Sequence, residues 1–279
     1  MSAEKLSLQE AAERLGVHYM TAYRYVRTGR LPATQIDGLW QISAGDLETV
    51  RPGRASSGKK GAADLDTTRH RLCERLLAAD GVGAWKVIEQ HIHGGADAKS
   101  VHGDLLEPLL VNIGERWRSG ELTVAEEHLV SAQVTRLLGR LSPTLARRGR
   151  RPRGTVVVGA VAGDQHHLPS HLFSNRLELA GPEVVLLGAN TPVASFVDAV
   201  ERFVANAVAV SVTAPGLDDA VRATTTAISE QCDGVLVFVG GSAVQSRAHA
   251  LELGATTWFA DTATAVDGIV KSLGARGAD

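Results

Sequence analysis

The sequence predicts three parts: a small head of two helices and a β-hairpin, an all-α four-helix bundle, and a doubly wound parallel α/β sheet of five strands. Two stretches rich in Gly, Ser, Pro and Arg, RPGRASSGKKGAA at 51–63 and ARRGRRPRG at 146–154, are typical of linkers. Apolar residues recur at helical spacing between them, whereas Val-rich runs alternate with helical stretches from 155 onward. The resulting division is a head at 1–52, a linker at 53–63, a bundle at 64–145, a basic linker at 146–153 and a sheet domain at 154–279.

Composition favours a cytoplasmic protein with buried cores. Of the 279 residues, 44% are hydrophobic. Cys73 and Cys232 lie far apart, so we expect neither a disulfide framework nor a cysteine zinc site. The start shows no signal-peptide pattern, and no apolar run approaches the roughly 20 residues that cross a bilayer. We therefore expect no membrane partner.

Residues 5–50 are typical of two short helices followed by a hairpin. Apolar residues recur at helical spacing on both sides of Gly16; they are Leu8, Ala11, Ala12, Leu15, Val17, Ala22, Tyr25 and Val26. The stretch TQIDGLWQIS then alternates around Asp37-Gly38, which is a hairpin signal. Residues 1–60 carry nine Lys/Arg and six Asp/Glu, a net +3, against −5 for the remainder. A basic head on an acidic body indicates an anionic partner for the head.

The run AAERLGVHYMTAYRYVRTGRLPA resembles the core of excisionase and MerR-like winged helix-turn-helix domains. In that motif class the second helix enters the major groove of double-stranded DNA. The resemblance implies an operator as partner, with five DNA-contacting residues: His18, Tyr19, Thr21, Arg24 and Arg27. One such head offers too little surface for tight specific binding, so we expect a homo-oligomer. The alternative is a helical hairpin whose charges only face solvent.

Residues 64–145 show the pattern of an antiparallel four-helix bundle. The expected helices are Asp66–Ala79, Gly83–His91, Ala98–Arg118 and Val124–Leu141. Thr123 and Glu126 form a capping-box pattern, which predicts a well-defined start for the last helix.

Five strand-like runs then follow: TVVVGAV, EVVLL, AVAVSV, GVLVFV and TWFA. Each precedes a helical stretch, so the pattern predicts a flavodoxin-like parallel sheet covered on both faces. Ligands of such sheets bind beyond the carboxyl ends of the strands. The stretch GDQHHLPSH, at 163–171, follows the first strand and falls at that edge.

Several kinds of site compete for this histidine-rich loop. A G-x-G-x-x-G phosphate cradle is missing, and so is a G-x-S-x-G nucleophile elbow. A zinc site from His166, His167 and His171 is conceivable, but adjacent histidines point apart and no second ligand cluster is evident. This favours a single imidazole presented to a metal that is held mostly by another group. No catalytic residues are expected.

The loop GDQHHLP resembles the cobalamin-binding motif DxHxxG of corrinoid proteins. Forty-one residues separate Pro169 from SVT at 211–213, and 26 more lead to Gly240-Gly241, which match the family's SxL or SxT and GG elements in order and spacing. The resemblance implies cobalamin as cofactor, with His166 as the lower cobalt ligand in place of the cofactor's benzimidazole. It also implies that Asp164 fixes the imidazole and that Ser211, Thr213, Gly240 and Gly241 line the path of the nucleotide tail.

Trp117, nine intervening residues and Glu127-His128 resemble the signature of the CarH and LitR family of cobalamin-dependent, light-sensing transcriptional regulators. The order of head, bundle and sheet agrees with that family. The resemblance implies that Trp117, Glu127 and His128 cap the upper face of the corrin, with adenosylcobalamin as the expected form. It further implies a DNA-binding photoreceptor and repressor.

Two positions depart from the pattern. Pro169 stands where the family has Gly, which places a ring where the tail would pass, although Pro is acceptable as the first residue of the following helix. Arg118 follows Trp117, where light-sensing members can carry a histidine that binds cobalt after photolysis. Two other functions therefore stay open: a regulator whose sheet domain lacks the cofactor or senses another ligand, and the corrinoid subunit of a methyltransferase system, which the head disfavours.

Overall fold

The computed structural model describes residues 5–15, 17, 22–23, 25–26, 30–36, 39–49, 59–145 and 152–276. The chain divides into two compact units, Met1–Leu141 and Ser142–Asp279. The first unit holds the head and most of the bundle, and the second holds the sheet domain.

The head contains a short antiparallel sheet beside its first helix. Strands β1 (Lys5–Ser7), β2 (Thr34–Ile36) and β3 (Leu39–Ser43) pair in the order β1-β3-β2. Ile36 pairs with Leu39, which confirms the predicted hairpin. Strand β1 was not expected, because three residues are too few to show a period. A 3-10 helix, Ala44–Thr49, follows.

Helix α1 (Leu8–Leu15) begins at a capping box that the sequence analysis did not identify. The Ser7 hydroxyl accepts from the Glu10 amide at 3.2 Å, and the Glu10 carboxylate accepts from the Ser7 amide at 2.7 Å. The apolar residues predicted for the two head helices form one core; its buried members are Leu8, Ala11, Ala12, Ala22, Tyr25 and Val26, with Leu31 and Ile42.

The bundle begins with helices α2 (Lys59–Leu77) and α3 (Gly81–His93), where the sequence predicts Asp66–Ala79 and Gly83–His91. Helix α2 includes residues 59–63, so the predicted linker at 53–63 is wrong for that part. Lys and Gly there show no apolar period, so the periodicity did not reveal the first turns. The next helical stretch is α4 (Ala98–Ser100), a π-helical turn (Val101–Leu106) and α5 (Glu107–Arg118).

Pro108 gives a physical reason for the π-helical turn. Proline donates no hydrogen bond and crowds the carbonyl four residues earlier, so the α-helical register is broken there. Instead, the amide of Glu107 donates to the carbonyl of His102, five residues back. The predicted single helix at Ala98–Arg118 is therefore continuous in position but not uniformly α-helical.

The last bundle helix, α6 (Val124–Leu145), starts where the capping box predicts. The Glu126 carboxylate accepts from the Thr123 amide at 2.8 Å and from its hydroxyl at 2.7 Å. These hydrogen bonds lower the pKa of Glu126. Apolar residues at helical spacing, such as Leu72, Leu105 and Leu138, are fully buried.

The second unit is a doubly wound parallel α/β domain, as predicted. Its strands are β4 (Thr155–Val161), β5 (Glu183–Thr191), β6 (Ala207–Ser211) and β7 (Leu236–Gly240), in the order β5-β4-β6-β7. The helices that follow them are α7 (His167–Ala180), α8 (Val193–Phe203), α9 (Asp218–Gln231), α10 (Arg247–Glu252) and α11 (Thr262–Arg276). Alternate residues of β4 enter cores on opposite faces: Val157 packs on one side, Val156 and Val158 on the other.

The segment TWFA does not form the predicted fifth strand. Within residues 152–276 it joins the sheet through one bridge, Thr257 to Phe238. The hydroxyl of Thr256 accepts from the Val237 amide at 3.0 Å, in the place of a main-chain carbonyl. Trp258 packs against one core and Phe259 against the other. The Thr256 amide also donates to the Val237 carbonyl at 2.7 Å, so pairing with β7 is confined to this short stretch of the described residues. The apolar pattern therefore identified core residues but not a strand.

Candidate functional site

The loop after β4 is shaped by a residue on the neighbouring strand. Gly163 has a φ of +91°, which favours glycine, and its amide donates to the side-chain carbonyl of Asn190 at 2.7 Å. The Asn190 amide donates back to the carbonyl of Asp164 at 2.8 Å. Asn190 itself has a φ of +51°, a conformation that asparagine tolerates better than most residues. This reciprocal pair fixes the backbone from which Asp164 projects.

Asp164 and His166 form the central contact of the site. Nδ1 of His166 donates to Oδ1 of Asp164 at 2.7 Å, and the His166 amide donates to the same oxygen at 3.1 Å. The Asp164 side chain is fully buried, whereas the His166 side chain is 50% exposed. The loop therefore buries the carboxylate and presents the ring.

Thr213, which the sequence analysis placed along a cofactor path, lies against the other side of the same carboxylate. Its amide donates to Oδ2 of Asp164 at 2.6 Å, and its hydroxyl lies 3.0 Å from that oxygen. The amide of Ala214 donates to Oδ2 at 3.4 Å. The loop after β6 thus supports the carboxylate that orients His166.

Burial raises the pKa of Asp164, but the hydrogen bonds from His166 and Thr213 outweigh it and lower that pKa to about 2. The ionised carboxylate can only accept, so Nδ1 of His166 carries the proton. In the neutral ring, the lone pair then resides on Nε2. Metal-binding histidines are commonly oriented in this way by a carboxylate.

The other predicted sheet residues meet at the ends of three adjacent strands. Ser211 pairs with Ala160 on one side and Gly240 on the other. A Cβ added to Gly240 would meet no atom within 4 Å, so its backbone borders open space. Gly241 has a φ of +118°, and a Cβ there would collide with the backbone of Val212. A glycine at 241 is therefore required by the fold, while the one at 240 leaves room.

Pro169 is the third residue of α7 and is exposed. The first turn of a helix has no intrahelical partners for its amides, so proline is accommodated there. His167 begins the same helix, and His171 lies one turn later, half-buried. Burial, with the nearby His167, lowers the pKa of His171. Among the described residues, no cluster of three or more His, Cys, Asp or Glu is arranged to hold a metal ion.

The predicted bundle residues lie at and beyond the turn between α5 and α6. Trp117, in the last turn of α5, is 40% exposed. Nδ1 of His128 donates to Oε2 of Glu127 at 2.6 Å, and the Ser131 hydroxyl donates to Oε1 at 2.7 Å. Arg118 is exposed and offers N–H donors, with no lone pair for a metal.

The five predicted DNA-contacting residues, His18, Tyr19, Thr21, Arg24 and Arg27, lie outside the described residues. What the structure describes of the head is its core, first helix and hairpin, which are the parts that would hold a second helix in place.

Sequence reasoning missed Asn190. Its hydrogen-bond partners, Gly163 and Asp164, lie in the loop after β4, too far away in sequence for a local spacing pattern to connect them with Asn190. One signal was present: a glycine and an asparagine near the end of an apolar strand, in LLGANT, favour a left-handed backbone.

Three domain families match parts of the chain. The B12 binding domain family matches residues 154–270, a second B12 binding domain family matches 68–142, and the helix-turn-helix domain family matches 6–50. The HTH-type transcriptional repressor CarH of Myxococcus xanthus is 34% identical over 203 residues, 72% of this chain and 66% of that protein. The chain is similar to CarH and carries a helix-turn-helix domain and two B12 binding domains.

Corrinoid proteins are also similar to this CarH-like chain. The trimethylamine corrinoid protein of Methanosarcina barkeri is 26% identical over 158 residues, 56% of this chain and 66% of that protein. Both relatives are thus matched over slightly less than two thirds of their length. The structure of the Methanosarcina barkeri monomethylamine corrinoid protein superposes with a TM-score of 0.64 at 16% identity, over 74% of this chain and 99% of that one, which shows a shared fold. Among the described residues of the CarH-like chain, no helix combines the length and apolarity that a membrane span needs.

Proposed function

We propose that this chain is a DNA-binding transcriptional repressor that binds cobalamin, with adenosylcobalamin as the bound form. The observation that carries the proposal is the contact between His166 and the buried Asp164, 2.7 Å long and supported by Thr213. It orients the imidazole of His166 for a metal whose other positions would be filled by a different group.

The residues at this edge of the sheet fit a corrinoid. Cobalamin supplies a cobalt ion that is already held by its corrin ring. That suits a site with one oriented imidazole, where the part of the chain that the structure describes offers no cluster of three or more metal-binding side chains. His166 would hold the lower face of the cobalt, and Asp164 would keep its Nδ1 protonated. Gly240, which borders open space, would give room to the nucleotide tail.

The bundle would contribute the cover for the upper face. Trp117 offers a half-exposed ring, and the Glu127–His128 pair offers polar groups for the ribose and base of an adenosyl group. We extend the proposal to light as the signal. Because Arg118 offers no lone pair, a response to light here would not depend on ligation by residue 118.

The head would read an operator, and pairing of heads in a homo-oligomer would supply the affinity that one head lacks. Binding or loss of the cofactor would shift the oligomer and, with it, occupancy of the operator. The match of the helix-turn-helix domain family to residues 6–50 supports DNA binding.

One experiment tests the proposal. The full chain is mixed with adenosylcobalamin in darkness, desalted, and examined by visible spectroscopy before and after green light. DNA fragments selected from a random pool are then tested for binding by the apo, dark and illuminated forms. We expect retained colour, a spectral change on illumination, and DNA affinity that differs between forms. A colourless protein after desalting would contradict cobalamin binding.

A second function, a corrinoid carrier for a methyltransferase, is favoured by the similarity of the bundle and sheet to corrinoid proteins. The same experiment separates the two. A coloured protein that selects no DNA sequence would support the carrier and contradict the regulator.

A further inference from the structure

Hydrogen bonds join the loops after β6 and β7 both near the strands and near the helices that follow. Near the strands, the Val212 amide donates to the Gly240 carbonyl at 2.8 Å, and the Ala243 amide donates to the Val212 carbonyl at 3.3 Å. The Ser242 hydroxyl donates to the Thr213 carbonyl at 3.2 Å. These loops carry Thr213 and Gly241, so their separation sets the space that Gly240 borders.

A histidine fastens the far ends. Nε2 of His249, in α10, lies 3.2 Å from Oδ2 of Asp218, the first residue of α9. The Gln245 amide donates to Nδ1 of the same ring at 3.3 Å. The His249 side chain is 21% exposed. One ring thus joins the last residues of the second loop to the helix that follows the first.

The two contacts fix the ring's tautomer. A main-chain amide can only donate, so Nδ1 of His249 accepts and carries no proton. The proton of the neutral ring is then on Nε2, where it is donated to Asp218. The two ring nitrogens bond to different segments, Gln245 in the loop after β7 and Asp218 at the start of α9. The ring therefore connects these two segments and does not cap its own short helix. That cap is already supplied by the Ser246 hydroxyl, which accepts from the His249 amide at 3.1 Å.

From this arrangement we infer that His249 and Asp218 are positioning residues that set the width of the nucleotide-tail path, so that the chain favours corrinoids with a tail over those without one. The inference rests on the proposed cobalamin binding. The hydrogen bonds of His249 run to Asp218 and Gln245, whereas Asp164 is held by Thr213 and by the His166 amide. Loss of the connection therefore removes none of the hydrogen bonds that orient the expected cobalt ligand.

The test compares hydroxocobalamin with cobinamide, the corrinoid that lacks the nucleotide tail, by spectroscopic titration of the full chain. Variants Asp218→Ala and His249→Phe remove the connection. We expect both to bind hydroxocobalamin about tenfold more weakly, because loops that are no longer joined must be ordered when the tail binds. Cobinamide affinity should stay within about twofold of the unmodified chain, as for a substitution away from the contact surface.

Two further variants keep the test decisive. Asp219→Ala is the matched control, since Asp219 is fully exposed and pairs with Arg222 on its own helix. Asp218→Asn keeps an acceptor for Nε2 and should retain most of the tail preference, even if the alanine variant folds poorly. Equal weakening for both corrinoids, or no weakening for either, would overturn the inference. An unmodified chain that binds neither corrinoid would instead overturn the proposed function.

Discussion

Two histidines of this chain hold a carboxylate against Nδ1, and the two pairs differ in what surrounds the carboxylate. In the sheet domain, Asp164 is fully buried and its partner His166 is 50% exposed. In the bundle, Glu127 is 27% exposed and His128 is 74% exposed. The Nδ1–oxygen distances are nearly equal, 2.7 Å and 2.6 Å.

The two pairs differ in how far along the chain the other hydrogen-bond donors to each carboxylate lie. Asp164 accepts from Thr213, 49 positions later, and its backbone is held by Asn190 on the next strand. Glu127 accepts from His128 and Ser131, both on its own helix. A histidine whose orientation is fixed by several structural elements is preorganised for a metal, so the Asp164–His166 pair is suited to bind one. The Glu127–His128 pair is held by a single helix and can adjust to the group bound on the upper face of the cobalt. Each substitution below tests that contrast.

The largest effect is expected at His166. His166→Ala should weaken retention of adenosylcobalamin by at least about 100-fold, more than the loss of an outer partner of a metal ligand costs. His128→Ala should weaken it less than tenfold, because an adjustable contact is replaced by solvent. Spectroscopic titration in darkness measures both. His167→Ala is the control, and a loss there equal to that of His166→Ala would contradict the assignment.

Asp164→Asn should cost less than loss of the ligand itself, about 10- to 100-fold in corrinoid affinity, because the imidazole loses its fixed orientation. The matched change in the bundle, Glu127→Gln, should cost less than about threefold, as expected for a partly exposed pair. The same titration applies. Similar losses for the two variants would show that burial of the carboxylate does not distinguish the pairs.

The buried carboxylate also predicts a pH dependence of stability. The pKa of Asp164 falls from its ordinary value of 3.8 to about 2 in the folded chain. Ionised Asp164 therefore stabilises the fold by about 2 kcal/mol at neutral pH, and this contribution is lost as pH falls from about 4 to about 2. Urea denaturation of the unmodified chain and Asp164→Asn should differ at pH 7 and converge toward pH 2. A constant difference across that range would contradict the shift.

The smallest effect is expected from the hydroxyls that support each carboxylate. Thr213→Val keeps the amide contact with Asp164 and loses the hydroxyl, so corrinoid affinity should fall about threefold. Ser131→Ala removes the corresponding donor to Glu127 and should leave affinity unchanged within error. A larger loss of affinity for Ser131→Ala than for Thr213→Val would contradict the proposed difference between the two pairs.

Local pattern predicted most of the architecture, and long-range contacts account for what it missed. The head core, the Thr123 cap and the doubly wound sheet follow from periodicity and capping residues. The TWFA segment forms one bridge with β7 and packs its aromatic residues into the two cores, which the apolar pattern alone does not distinguish from a strand. The π-helical turn follows from Pro108, a signal present in the sequence but not used.

For the site, the motif spacing placed Asp164 and His166 as a pair, and the structure joins them. Thr213 was chosen as a wall of the tail path, yet its contacts are with Asp164. Whether Thr213 lines the tail path or bonds to Asp164 depends on how the ends of β4 and β6 align. Sequence spacing alone does not specify that alignment. The reciprocal Asn190 contacts have the same origin.

The central claim is that the imidazole of His166 binds the cobalt of cobalamin. Uniformly ¹⁵N-labelled chain, loaded with unlabelled cobalamin and reduced to the Co(II) state, tests it directly by electron paramagnetic resonance. A protein imidazole as axial ligand would split each cobalt line into a doublet, because ¹⁵N has spin one half, and His166→Ala would abolish that doublet. A triplet, the pattern of the cofactor's own ¹⁴N base, would contradict the claim.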